Sequence, residues 1–381
     1  LHDPTIEWQD IADLRSEYIG EEEHRDTIRK GAKLLYEYLQ AGWVRNPEEG
    51  TDTISHNTEN KIHELQKERY KLQTEKIELN RWLRENARDE LITEHICQAI
   101  AKLDPFIFPE PIIPEHGTRE YLCCFGDCHY GIDFEIKDLA GKVINAYSPE
   151  IFEARMWDLF GQLVEIISER GITELNLWDL GDNIQGILRL NSQLMKLRYG
   201  IIDSSILYAD FISKWMNELS KYVKIKFQMV IDSNHNQLRI CNAPKNAFKE
   251  ENMSKVILTL MKQRLKDNPN IEFIENPTGM NFGELAGFTV LAIHGEVKNL
   301  SDSLAKFSIA YKQPLDYIIG AHCHHFTSSE IGRRSEAIQI RSIIGIDPYG
   351  LSLNATSDAG SSLFVFEEDK GLVCEYKIIL N

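Results

Sequence analysis

A chain of 381 residues, 43% of them hydrophobic, has room for two or three structural units and a sizeable core. Its formal net charge of -17 argues against a broad nucleic-acid-coating surface, because nonspecific affinity comes largely from Lys and Arg neutralising backbone phosphates. No apolar run approaches the roughly 18 residues a spanning helix needs, and Leu1 to Gly20 is acidic and amphipathic, so the expectation is a cytoplasmic chain with no membrane partner.

Residues Thr5 to Leu39 read as short helices. Ile6, Ile11, Leu14 and Ile19 form an apolar set, Gly20 marks a turn, and a second helix is expected from Glu21 through Tyr38 with Ile28, Leu34, Leu35 and Leu39 inward. The pattern suggests a helix-turn-helix-like module over 1–56. Arg25, Arg29, Lys30 and Lys33 are its candidate DNA-binding face, although acids outnumber bases in this stretch and a protein-docking role stands beside the DNA reading.

From 57 to 104 the chain is almost free of glycine and proline and rich in Glu, Lys and Arg. Ile62, Leu65, Leu72, Leu79 and Leu83 fall at three- and four-residue steps, with Arg69 and Lys76 at alternate seam positions. This predicts a coiled-coil-like arm joining at least two copies of the chain, the competing reading being one amphipathic helix packed on the rest. The stretch 46–52 and the proline-rich stretch from Asp104 to Pro114 read as linkers.

Beyond them the periodicity predicts strands at Tyr121 to Phe125, Glu174 to Leu180, Lys224 to Ile231, Phe288 to Ile293 and Asp316 to Ile319. Each ends in a polar cluster: Asp127-Cys-His129, Gly181-Asp182-Asn183, Asn234-His235, His294-Gly295-Glu296 and His322-Cys-His324. Carboxylate, imidazole and amide groups at strand carboxyl ends form the mixed ligand set that divalent ions take when they act on phosphate. On a locally extended backbone Asp127 and His129 share one side, as do His322 and His324, while Cys128, Cys323 and His325 turn away; the two cysteines read as packing residues. Seven cysteines without paired C-x-x-C repeats suggest a reducing compartment.

The order of these clusters resembles the calcineurin-like metallophosphoesterases, whose pattern runs D-x-H, G-D, G-N-H-D/E, H and G-H-x-H, over roughly Arg119 to Asn381. The whole chain also looks similar to phage- and prophage-encoded phosphoesterases of the DNA-repair-exonuclease kind. The resemblance implies an α/β/β/α sandwich over 105–381. It implies that Asp127, His129 and His324 hold one metal ion, that Asp182 bridges to a second, and that Asn234, His294 and His322 complete the second site, with His235 as the catalytic residue. It also implies in-line attack on phosphorus by a hydroxide held between two divalent ions, Mn²⁺ suiting the oxygen and nitrogen ligands, with Fe or Zn as alternatives. Three positions depart from the pattern: Ser233 replaces a glycine, Ala321 stands between Gly320 and His322, and Asn236 stands where an acid orients the catalytic histidine.

The functional expectation is therefore a phosphodiesterase, with DNA the favoured substrate and Arg189, Arg198, Arg333 and Arg334 (with Lys196) the candidate substrate contacts. A cyclic-nucleotide phosphodiesterase, a phosphoprotein phosphatase and a degenerate, non-enzymatic DNA- or protein-binding regulator are the alternatives.

Overall fold

The computed structural model describes residues 7–20, 24–43, 55–115, 117–186, 196–238, 251–352 and 357–380. By contacts the chain divides into two compact units, Leu1–Arg88 and Asp89–Asn381.

In the first unit, α1 (Trp8–Ile19) opens on a capping box between Glu7 and Asp10 and closes on Gly20 at φ 77, a left-handed turn that favours glycine. The next helix, α2 (Arg25–Gln40), begins later than the expected Glu21 because the His24 ring accepts the Asp26 N–H and caps it. Among the described apolar side chains of this pair only Ala12 and Ile28 are buried; Leu14 is 68% exposed, and Leu34 and Leu35 are each 49% exposed. The expectation that Leu14, Leu34 and Leu35 point into a core is thus not met, since two short helices offer too little surface to cover them. The arm is a single 46-residue helix, α3 (Ser55–Ile100), and Leu65, Leu72 and Leu79 stand exposed along it. The side chains of Ile62 and Leu83 lie outside the described residues, as does Ile6.

The second unit is a four-layer sandwich. One sheet of six strands runs in the order β13 (Gly371–Ile379), β12 (Gly360–Glu367), β1 (Arg119–Phe125), β4 (Glu174–Asp179), β5 (Lys224–Met229), β6 (Ile271–Phe273), with β1, β4, β5 and β6 parallel, and β2 (Phe134–Lys137) pairs with β3 (Val143–Tyr147) in a separate antiparallel ribbon. The second sheet runs β10 (Thr327–Gly332), β11 (Ser335–Gln339), β9 (Tyr317–Gly320), β8 (Phe288–Ile293), β7 (Asn281–Leu285), with β11, β9 and β8 parallel. The five expected strands are all present, with bounds shifted by two residues at most.

Strand alternation assigns each face. In β1, Leu122 and Cys124 face the second sheet and share a core with Trp178 and Phe364 of their own sheet and with Val290, Ala292, Tyr317 and Ile319 of the other. Cys123 and Phe125 face α4 (Pro149–Arg170), α5 (Ile201–Leu219) and α6 (Met253–Leu265), which supply Phe152, Leu163, Trp215, Ile257 and Met261. On the outer side of the second sheet, Leu291, Ile293 and Ile318 pack under Leu304 of α7 (Leu300–Tyr311).

The expected linker at Asp104 to Pro114 is a strap fastened to the second unit. Asn270 accepts the Ile112 N–H at 2.7 Å and donates to the Glu110 carbonyl at 2.8 Å, and Asn217 donates to the Ile107 carbonyl. Arg264 lies 4.0 Å over the Phe106 ring and pairs with Asp210. Ala99 and Ile100, at the end of α3, pack into the same core, so the arm's last turn belongs to the sandwich. Among the described residues no helix is long and apolar enough to cross a membrane.

Candidate metal centre

The polar clusters converge at the carboxyl ends of β1, β4 and β5 in one sheet and β8 and β9 in the other, because both parallel sets point the same way across the sandwich. The turns that follow are sharp. Asp127, His129, Asp182, His322 and His324 all have positive φ, between 44° and 73°, a region that few non-glycine residues occupy. The extended geometry expected for Asp127-Cys-His129 and His322-Cys-His324 is therefore absent. Left-handed residues at a ligand position cost local strain that the surrounding packing must offset, and they concentrate at functional sites. Two glycines allow the crowding: a Cβ on Gly181 would lie 2.6 Å from that of Ser233, and one on Gly295 would lie 2.6 Å from the Ala321 carbonyl oxygen.

Three adjoining groups result, each with ligand atoms that can hold a metal ion: Asp127, His129 and His324; His129, Asp182 and His235; Asp182, His294 and His322. In the first, His129 Nε2 faces His324 Nε2 at 3.3 Å, and Asp127 Oδ1 lies 3.5 Å from His324 Nε2 and 4.0 Å from His129 Nε2. In the third, His294 Nε2 lies 3.0 Å from Asp182 Oδ2, 3.1 Å from Asn234 Oδ1 and 3.2 Å from His322 Nδ1. His322 and His324 thus face separate groups instead of sharing one side, while the His322 N–H donates to Asp127 Oδ2 and ties the two together.

The electrostatics fit a cation. Asp127 Oδ1 is buried with no hydrogen-bond partner among the described residues. Burial raises the Asp127 carboxyl and the nearby His324 and His294 imidazoles pull it down, the balance lying at about 2; Asp182 is also held well below the usual carboxylate range, burial being outweighed by His294 and His235. Burial and the neighbouring His235 keep His129 neutral, and burial with His294 does the same for His322. His294 is lifted to about 9 against its burial by Asp182, and His324 is raised by Asp127. Two carboxylates held low and four imidazoles crowded against them make a donor set in which a divalent ion can compete with protons for the same atoms.

His235 stands beside these groups, its ring 4.3 Å from and perpendicular to that of His129. Its Nδ1 meets the Gln185 carbonyl at 2.8 Å, leaving Nε2 as the ring's remaining donor or acceptor, and its backbone N–H donates to Asp182 Oδ1. Gly186 makes this possible, since a Cβ there would collide with the His235 carbonyl. Asn236 is fully buried and does not serve as the imidazole's partner: its amide donates to Asn183 Oδ1 at 2.6 Å and to Ser254 Oγ at 2.7 Å, and its Oδ1 accepts the Ile184 N–H. Ser233, in place of a glycine, accepts the Asp182 N–H at 3.0 Å. Buried Asp179 accepts from Gly181, Asn183 and Tyr208, and burial pushes it up to about 7 against those donors.

The other expected site residues are less well placed. Arg198 lies near the ligand loop, its N–H on the Gly131 carbonyl, but its guanidinium pairs with Glu150 at 2.7 Å. Arg333 and Arg334 sit in the β10–β11 turn, next to the Glu336–Tyr317 pair, while the ligands follow the opposite end of β9 at Gly320. That is a separation on the order of 15 Å along the sheet, so they do not line the centre. Arg189 lies outside the described residues. Cys128 is core, as expected, but Cys323 is exposed, because the left-handed turns at His322 and His324 lift it out of the packing. Sequence reasoning did not find Asp347, whose Oδ2 lies 3.4 Å from His324 Nδ1; it carries no motif spacing to the ligands.

Residues 61–103 match the model of the YonJ coiled-coil domain. Over 384 aligned residues, covering 99% of this chain and 93% of the relative, the sequence is 30% identical to the SPbeta prophage-derived protein YonJ of Bacillus subtilis (strain 168). The chain belongs to the YonJ family. Solved structures similar to this YonJ-family chain include a dimetal phosphatase from Danio rerio (12% identity, 71% of this chain and 100% of that one, TM-score 0.35). They also include zinc-complexed Vps29 from Entamoeba histolytica (10% identity, 68% and 99% coverage, TM-score 0.30). Both likenesses are distant, and the four-layer fold rests on the sheet order and packing described above.

Proposed function

We propose that this chain is a metal-dependent phosphoesterase that hydrolyses phosphodiesters, with DNA as the favoured substrate and two divalent ions, Mn²⁺ foremost, as cofactors. The observation that carries the reading is the place of Asp182, within ligand reach of His129 on one side and of His294 and His322 on the other, which puts one buried carboxylate within reach of two cation positions. When bound, such ions polarise phosphoryl oxygens and lower the pKa of coordinated water. The chain's own residues do the rest. Asp127, Asp182, Asn234 and the four ligand histidines would hold those ions, and His235, held through Nδ1 by the Gln185 carbonyl, presents Nε2 to receive or deliver a proton at the leaving oxygen. A main-chain carbonyl thereby does the orienting that a carboxylate was expected to do.

Support for a polymeric substrate lies outside the centre. Arg25, Arg29, Lys30 and Lys33 are exposed on α2, and Leu65, Leu72 and Leu79 form an exposed stripe with heptad spacing on α3, which fits pairing with a second copy and a two-handed grip on a long chain. The test is a substrate panel: single-stranded DNA, duplex DNA, cyclic nucleotides, a phosphopeptide and a bis-phenyl phosphodiester with Mn²⁺, with His235→Ala as control. DNA should be cut fastest, and the variant should keep its metal while losing roughly 10²- to 10⁴-fold in turnover. Faster turnover of a phosphopeptide or cyclic nucleotide than of either DNA would replace the substrate assignment, and no turnover of anything would favour a binding protein.

A further inference from the structure

The rings of the two metal groups are held from behind by different partners. His294 Nδ1 meets the Leu180 carbonyl at 2.9 Å. His129 Nδ1 is buried with no partner among the described residues. His324 alone of the three is backed by a carboxylate: its Nδ1 faces Asp347 Oδ2 at 3.4 Å while its Nε2 faces Asp127 and His129. A carboxylate behind an imidazole fixes the ring's tautomer and orientation and makes its other nitrogen a better donor to a cation.

Asp347 is itself firmly placed. Its other oxygen, Oδ1, accepts the Gly350 N–H at the start of the short helix α8 (Pro348–Ser352). The segment leading to it is pinned from two directions. The Ile343 and Ile344 N–H groups donate to the Gly126 and Asp127 carbonyls, at 3.1 and 3.2 Å. Arg155, buried beneath, donates to the Ile343 and Ile344 carbonyls at 3.0 and 2.8 Å, and Asn145 donates to those of Ile344 and Ile346. One stretch of backbone therefore sets both the Asp127 turn and the carboxylate behind His324.

We infer that Asp347 is a positioning residue for the Asp127–His129–His324 site, aiming His324 Nε2 at the cation and making that site the tighter of the two. The inference rests on the reading of these residues as a metal centre and adds which ion is held harder, and by what.

The experiment is a Mn²⁺ titration of chelator-stripped full-length protein, followed by the electron paramagnetic resonance of free Mn²⁺, for wild type, Asp347→Asn and Asp347→Ser. Both substitutions keep a side chain that caps a helix, so the metal-free melting temperature should not move. Wild type should bind two ions with unequal affinity. Asp347→Ser should weaken the tighter one by roughly 10- to 100-fold and leave the other unchanged, with Asp347→Asn in between, since its amide oxygen can face Nδ1 without the charge. Two ions bound by all three proteins with the same constants would reduce Asp347 to a helix cap and overturn the inference while leaving the metal centre intact. A wild type that binds no Mn²⁺ would overturn both.

Discussion

The two units of this chain follow the same apolar-polar patterning to different ends. In Asp89–Asn381 the alternation along β1, β8 and β9 sends neighbouring residues into separate cores, and nearly every large apolar side chain on those strands is buried. In Leu1–Arg88 an equally regular pattern leaves Leu14, Leu34, Leu65, Leu72 and Leu79 in solvent. The difference is one of partners. A strand inside a sheet meets neighbours on both edges and layers on both faces, whereas a helix with a single apolar stripe needs another surface that its own short unit lacks. Burial in the sandwich supports a strained site; exposure along the arm is what an association surface requires.

The largest test of that contrast is Asp182→Ala. Because this carboxylate belongs to two of the three ligand groups, the variant should lose both ions and essentially all turnover, measured by metal analysis of the purified protein alongside the phosphodiester assay. Retention of two ions with intact turnover would show that the centre is organised around another residue.

Next in size is Arg155→Met. Arg155 is a buried cation whose donors satisfy the Ile343 and Ile344 carbonyls and Asn145 Oδ1, so the substitution strands buried acceptors beneath the Asp127 turn. Denaturant unfolding should show the sandwich destabilised by about 3 kcal/mol, with weaker Mn²⁺ binding in the folded protein. A loss under about 0.5 kcal/mol, the level of an ordinary surface change, would mean that the segment before Asp347 holds itself.

The smallest effect on the sandwich should come from the arm. Changing Leu65, Leu72 and Leu79 together to Asn should leave metal content and hydrolysis of a small diester unaltered while light scattering shows a smaller particle than wild type. A wild type that is already monomeric would show that the stripe serves something other than a second copy, and the contrast between the units would then need another partner to explain it.

The strands and their polar ends were legible because β-strand alternation and ligand chemistry are local properties of a few residues. The expected strands appear with small shifts, and Asp127, His129, Asp182, Asn234, His235, His294, His322 and His324 do converge. The backbone that brings them together is not the expected extended one. Alternation on an extended backbone was to bring Asp127 and His129 together, yet both are left-handed, as are His322 and His324, and Cys323 is exposed in consequence. Asn236 read as a missing acid, but its amide occupies a buried hydrogen-bond network that an acid could not satisfy in the same way, having no N–H to give to Asn183. The basic residues were least legible, since charge says nothing about position: Arg333 and Arg334 lie at the far end of their sheet and Arg198 is paired with Glu150.

By itself, then, the sequence determined which residue types follow which strands, the long glycine-free helix, and the inventory of candidate metal ligands. Only the tertiary structure decided how those ligands divide into adjoining groups, that the Gln185 carbonyl orients His235, that Asp347 stands behind His324, and that 104–114 is a strap. The physical reason is range. Strand and helix patterns are written in neighbours two to four positions apart, whereas these contacts join groups separated by 50 residues for Gln185 and His235 and by 158 for Ile112 and Asn270. At such distances the chain's own periodicity carries no information, and the packing of two sheets supplies it.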